Sequence, residues 1–151
     1  MAVGAGWAAP VTESREWPER ARQAAVLRAC GSLFRRAVLV VPADGSSEWL
    51  VLREAREAGA MVTALCAPER APKAWDAGAD AVLDPERQDP TWYRGAWTVI
   101  YDPAGRIGFA RAARSIVSGG VYATGAASLA DRASALIGQL AGGPKLLRLR
   151  G

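Results

Sequence analysis

The sequence predicts an α/β fold: a doubly wound, mostly parallel six-stranded sheet of order 3-2-1-4-5-6, with helices on both faces. Three observations lead there. Short apolar runs recur as AVLVV (37–41), AMVTALC (60–66), DAVLD (80–84), WTVIYDPAG (97–105) and SGGVYATGA (118–126). Segments of helical periodicity join the first two and the last two. The closing KLLRLRG (145–151) adds a sixth strand.

Residues 1–17 are rich in Gly, Ala and Pro and aperiodic, so they read as a loose arm ahead of a single domain, 18–151. Pro18 suits a first helical turn, and Val26, Leu27, Cys30, Leu33 and Phe34 then form one apolar stripe. Strand 37–41 is apolar throughout, as both-face burial requires. Helix 47–58 turns Val51, Leu52, Ala55 and Ala58 inward, and Gly59 stops it. Strand 60–66 leads to a short helix over 70–78, closed by Gly78, and then to strand 80–84. Pro85 and Pro90 limit helix in the connection 85–96. Strand 97–101, helix 107–117, strand 120–124 and helix 128–141 follow. In the last strand Leu147 and Leu149 alternate with Arg148 and Arg150, a half-exposed edge pattern.

Composition excludes several chemistries. Histidine is absent, which removes the commonest general base and every Ser-His or Cys-His pair. Two cysteines, Cys30 and Cys66, are too few for a structural zinc site, so no metal is expected. The net charge of +4 comes from arginines scattered among 15 acids, not from the clustered basic face that nucleic acid needs. No apolar run reaches the ~18–20 residues of a membrane span. The N-terminus lacks the basic and apolar regions of a secretory signal, so a cytoplasmic location is expected.

Three segments carry a family resemblance. EAGAMVTALC (57–66), GADAVLD (78–84) and WTVIYDPAG (97–105) with RSIVSGGVYATG (114–125) resemble successive strands of the Rossmann cofactor-binding domain of the medium-chain dehydrogenase/reductase superfamily. The quinone-oxidoreductase branch is the nearest in pattern. The ordered set covers roughly three-quarters of the chain. The family's separate substrate domain is not expected here, since only 36 residues precede the first strand. Its fingerprint loop, ADGSSE (43–48), places Ala43, Gly45 and Glu48 at the three small-residue positions.

That loop shapes the functional expectation. A helix N-terminus binds diphosphate through free N–H groups and its positive dipole end. Asp44 is placed to cap the helix itself, and Glu48 adds a second negative charge. Both oppose an incoming diphosphate, so no cofactor is expected; NADP is the alternative. If a nucleotide site is retained, Gly45, Glu69 and Arg70 hold it: Glu69 toward a ribose hydroxyl, Arg70 toward a 2′-phosphate. The other reading makes Glu69 and Arg70 exposed charges opening the next helix.

In doubly wound sheets ligands bind at the carboxyl ends of the strands, where strand order reverses. The rim expected there comprises Asp44, Gly45, Ser46, Ser47, Glu48 and Trp49 with Tyr101, Asp102, Pro103, Thr124 and Gly125. Asp102 and Glu48 are the acid/base candidates and Tyr101 an orienting hydroxyl, since two nearby buried carboxyls push their pKa values apart. The alternative makes Asp102 a tether for backbone and Glu48 part of a helix cap. Three functions follow. The first is a repurposed domain taking a small, largely apolar metabolite through a redox-neutral cyclisation, dehydration or isomerisation, as in polyketide biosynthesis or other bacterial secondary metabolism. The second is an NAD(P)H-binding oxidoreductase or a subunit of one. The third is a non-catalytic scaffold. A homodimer through the edge strand is also expected, with no nucleic-acid or membrane partner.

Overall fold

A computed structural model describes residues 27–42, 47–125 and 142–149, with Ala135 and Gly138 between them. The N-terminal arm, all of residues 18–26 and most of 128–141 lie outside the described residues. The six strands are β1 (Ala37–Val40), β2 (Met61–Leu65), β3 (Ala81–Leu83), β4 (Trp97–Tyr101), β5 (Ile116–Thr124) and β6 (Lys145–Arg148). They form one sheet ordered β3-β2-β1-β4-β5-β6, and every pairing is parallel. The expected architecture is therefore present. The helices between them are α1 (Ser47–Glu57), α2 (Ala71–Asp76, after a 3-10 turn at Pro68–Arg70) and α3 (Phe109–Ala112, continued by a 3-10 turn to Ser115).

The strands divide their side chains between two cores with period two. Val38, Val40, Val62, Ala64, Val99, Tyr101, Val121 and Leu147 point to one face, where α1 adds Val51, Leu52 and Ala55. Leu39, Val41, Leu65, Ile100, Tyr122 and Leu146 point to the other, meeting Phe109 and Ala112 of α3 and the helical Ala135. Each such large side chain removed from water contributes ~1.5–3 kcal/mol, so two-face burial anchors the sheet.

The first two helix-to-strand returns use glycine in the left-handed region. Gly59 (φ 83°) and Gly78 (φ 101°) end α1 and α2. Ala60 N donates to Ala55 O and Ala79 N to Ala74 O, the paired pattern that satisfies a helix's last carbonyls.

Four details differ from expectation. The helix leading into β1 stops at Ala29, and Phe34 is 66 % exposed, lying over Gly59 rather than in a core stripe. Ala58 is exposed because α1 has already ended at Glu57. β5 begins at Ile116, replacing the end of the expected helix 107–117. β6 keeps the expected alternation, with Leu147 buried, Leu149 packed against the same core and Arg148 exposed, but it also buries Leu146 in the other core.

Candidate functional site: an arginine-walled cleft at the strand ends

The carboxyl ends of four strands enclose a cleft of about 260 Å³. Val41 and Pro42 follow β1, Cys66 and Ala67 follow β2, and Asp89 and Pro90 belong to the connection after β3. The loop after β4 supplies Arg106 and Ile107, and α3 supplies Arg111. Arg70, from the turn after β2, completes the wall. The volume is slightly below the ~300–1,000 Å³ of whole small-molecule sites, and suits one end of an extended ligand.

Three guanidinium groups against one carboxylate make the wall cationic, and each is held differently. Arg70 lies 5.2 Å from the centre of the Trp49 ring, which also carries Lys73 at 5.1 Å. Arg111 pairs with Asp89. Asp89 also accepts from the Thr91 amide at 2.8 Å and its hydroxyl at 2.7 Å. Burial alone would raise the Asp89 carboxyl, but the Thr91 bonds and Arg111 outweigh it and bring it down to about 2. Arg106 is carried by a loop whose amides are bonded to Asp102 and Tyr122.

Asp102 is fully buried. Its Oδ1 accepts from Arg106 N at 2.9 Å, and its Oδ2 from Ile107 N at 2.8 Å and the Tyr122 hydroxyl at 2.7 Å. The carboxylate thus ties down the loop after β4, which is the geometry of a backbone tether. Tyr101, one residue earlier, packs into the core on the opposite face from Tyr122. The expected pairing of Tyr101 with Asp102 is not what the structure brings together, because side chains of successive strand positions part to opposite faces.

Glu48 is only 5 % exposed in the first turn of α1. Among the described residues its Oε2 and the Trp49 Nε1 have no hydrogen-bond partner, and no bond joins Glu48 to Asp102. Pro103 and Gly125 do meet: Gly125 N donates to Pro103 O at 3.1 Å. Thr124 is buried beside them, its carbonyl accepting from Leu149 N. Glu69 is exposed and stands outside the cleft wall, unlike its neighbour Arg70. Asp44, Gly45 and Ser46 lie outside the described residues, as does the side chain of Ser47.

Neither thiol competes as a nucleophile. Burial pushes Cys30 up to about 12. Burial raises Cys66 as well, with Arg70 opposing and Asp84 reinforcing the rise. Among the described residues no group of three or more His, Cys, Asp and Glu could hold a metal ion. No helix among them is long and apolar enough to cross a membrane. Sequence reasoning missed Asp89, Arg106, Ile107, Arg111 and Tyr122. The Asp-Pro-Thr step at 89–91 was an available signal, since Asp caps an amide two residues on.

The parallel 3-2-1-4-5-6 sheet with its cleft at the strand ends is the doubly wound Rossmann-type architecture. Solved oxidoreductases share it. The quinone oxidoreductase of Coxiella burnetii matches with a TM-score of 0.72 at 14 % identity, over 89 % of this chain and 42 % of that one. The Escherichia coli quinone oxidoreductase complexed with NADPH matches at 0.71 and 17 %, over 89 % and 44 %. A mycobacterial quinone oxidoreductase matches at 0.63 and 23 %, over 86 % and 43 %. The chain thus spans less than half the length of these structures. No protein-family profile and no curated protein matches the sequence. The resemblance to the nucleotide domain of the medium-chain quinone oxidoreductases, read from three segments, extends to the whole fold.

The expectation of a cofactor-free crevice does not stand. The matched folds are those of oxidoreductases, one of them solved with NADPH. Glu48, the second acid of the charge argument, is buried in the first turn of α1.

Proposed function

We propose that this chain is the nucleotide-binding part of an NAD(P)H-dependent oxidoreductase, and that it takes the phosphorylated dinucleotide, NADP(H). The arginine-walled cleft at the carboxyl ends of β1 to β4 carries this reading. Its composition fits the group it would hold. Leu65, Pro90 and Ile107 offer an apolar seat for a base, while Arg70, Arg106 and Arg111 offer planar donor forks suited to a phosphate. The dinucleotide supplies the hydride when bound; the residues named here bind and orient its adenosine end. Quinone reduction, the activity named for the matched enzymes, is the proposed use of that hydride.

The redox-neutral acid/base reading, with its polyketide-type substrates, finds no such support. It needs Asp102 and Glu48 in one crevice, whereas Asp102 already accepts three hydrogen bonds within the protein. Nothing in the geometry favours a scaffold role.

The test is a pair of fluorescence titrations with NADPH and NADH. NADPH is expected to bind within the ~1 μM–1 mM range usual for enzyme substrates. Arg111→Ala should weaken NADPH about tenfold while barely changing NADH, since only the former presents the 2′-phosphate. Equal effects on both would overturn the assignment of the cleft.

A further inference from the structure

We propose that the buried Asp102–Tyr122 pair is a positioning device that sets the choice between phosphorylated and unphosphorylated dinucleotide. It does so by fixing the loop between β4 and α3, which presents Arg106 and Ile107 to the cleft. The inference rests on the reading of the cleft given above and adds what controls its selectivity.

The loop is not rigid by sequence alone. Residues 102–108 form no regular element, and Gly105 (φ 67°) and Gly108 (φ 82°) both use the left-handed region. Its order comes from two side chains. Asp102 receives the amides of Arg106 and Ile107, and the Tyr122 hydroxyl receives the amide of Gly108 at 3.1 Å. Tyr122 in turn donates to Asp102 Oδ2 at 2.7 Å. Three consecutive amides are therefore held by one linked pair, which is itself 0 % and 1 % exposed.

The same ring reaches the next element. Tyr122 meets Phe109, the first residue of α3, edge-on with centroids 5.9 Å apart. Arg111 lies two residues further along that helix. Arg106 and Ile107 thus carry two of the braced amides and Arg111 follows them, and all three line the cleft wall. Neither Asp102 nor Tyr122 lines the cleft, so both act through those residues. A donor fork held in place before the ligand arrives loses less conformational freedom on binding than one on a free loop.

Tyr122→Phe keeps the ring and deletes the bridging hydroxyl. Calorimetric titrations with NADP⁺ and NAD⁺ would compare the wild type, Tyr122→Phe, Arg106→Ala and the double variant. Tyr122→Phe is expected to weaken NADP⁺ about tenfold and NAD⁺ less than about threefold, and to add almost nothing once Arg106 is gone. Equal losses for both nucleotides, no loss, or simple additivity with Arg106→Ala would overturn the proposal and leave the cleft assignment standing. A wild type that binds neither nucleotide overturns the parent reading and this one with it. If Tyr122→Phe fails to fold, Gly108→Ala serves instead. Its Cβ would meet nothing within 4 Å, but φ 82° disfavours alanine, so it perturbs the braced loop without crowding the core. The same loss of NADP⁺ preference is expected, and an unchanged preference would refute the idea.

Discussion

Replacing Asp102 by asparagine separates a tether from a catalytic base. The carboxylate has no exposure and takes three donors: the amides of Arg106 and Ile107 and the hydroxyl of Tyr122. Asparagine keeps one oxygen and turns the other into an NH₂ group. If the NH₂ replaces Oδ1, the Arg106 amide faces a donor. If it replaces Oδ2, the Ile107 amide does, and the Tyr122 hydroxyl must turn. At least one buried donor is orphaned, costing ~1–3 kcal/mol, and the remaining bonds lose their charge assistance. The sum is ~2–4 kcal/mol, a sizeable part of the ~5–15 kcal/mol stability of an ordinary domain. For a chain of 151 residues each kcal/mol shifts Tm by ~2–4 °C. Asp102→Asn should therefore melt ~5–15 °C below the wild type, with an unchanged urea m-value. A Tm within ~2 °C of the wild type would refute the tether and return Asp102 to the list of free acids.

Three further outcomes are expected. Because the Asp89 carboxyl is lowered to about 2, the stability it contributes is complete above the ordinary value of 3.8 and is lost as pH falls toward about 2. Its partner Arg111 is 60 % exposed, so a contribution of only ~1 kcal/mol is expected, and urea titrations at pH 2 to 5 should show Asp89→Asn flattening that part of the curve. Gly120→Ala would place a Cβ 2.5 Å from Ile116 Cγ2 and 2.6 Å from Thr98 O, so it should cost ~2–3 kcal/mol in thermal or urea unfolding, where an unchanged midpoint would contradict the β5 geometry. We propose, finally, that two copies pair along β6, the sheet edge that has β5 as its neighbour, and light scattering should show a dimer rather than a clean monomer at high concentration.

The strands were legible because both-face burial writes itself as continuous apolar runs; AVLVV supplies residues to each core alternately, as the structure shows for Val38 and Leu39. The helix stops were legible too, since Gly59 and Gly78 sit where only a left-handed residue closes the turn. The start of β5 was not. IVSGG carries two glycines, and its pairing with β4 is irregular between Trp97 and Val99, so local pattern resembled a helix end. The site was harder still. Asp102 is recognisable as a strand-end acid, but its role depends on Tyr122, twenty residues away. Arg106 and Arg111 are two arginines in a chain where arginines are everywhere, and only the fold brings them beside Arg70. Glu48 was read as an acid/base partner of Asp102 or as part of a helix cap; it is indeed buried, but sequence position does not reveal that Asp102 is already engaged by the loop after β4.

The central claim is that the cleft lined by Arg70, Arg106 and Arg111 seats the adenosine end of NADP(H). A crystal structure of the chain grown with saturating NADP⁺ tests it. The account predicts the 2′-phosphate within hydrogen-bonding reach, roughly 2.7–2.9 Å, of at least two of these guanidinium groups, with the base against Ile107. A dinucleotide bound elsewhere, or none at saturation, would contradict it.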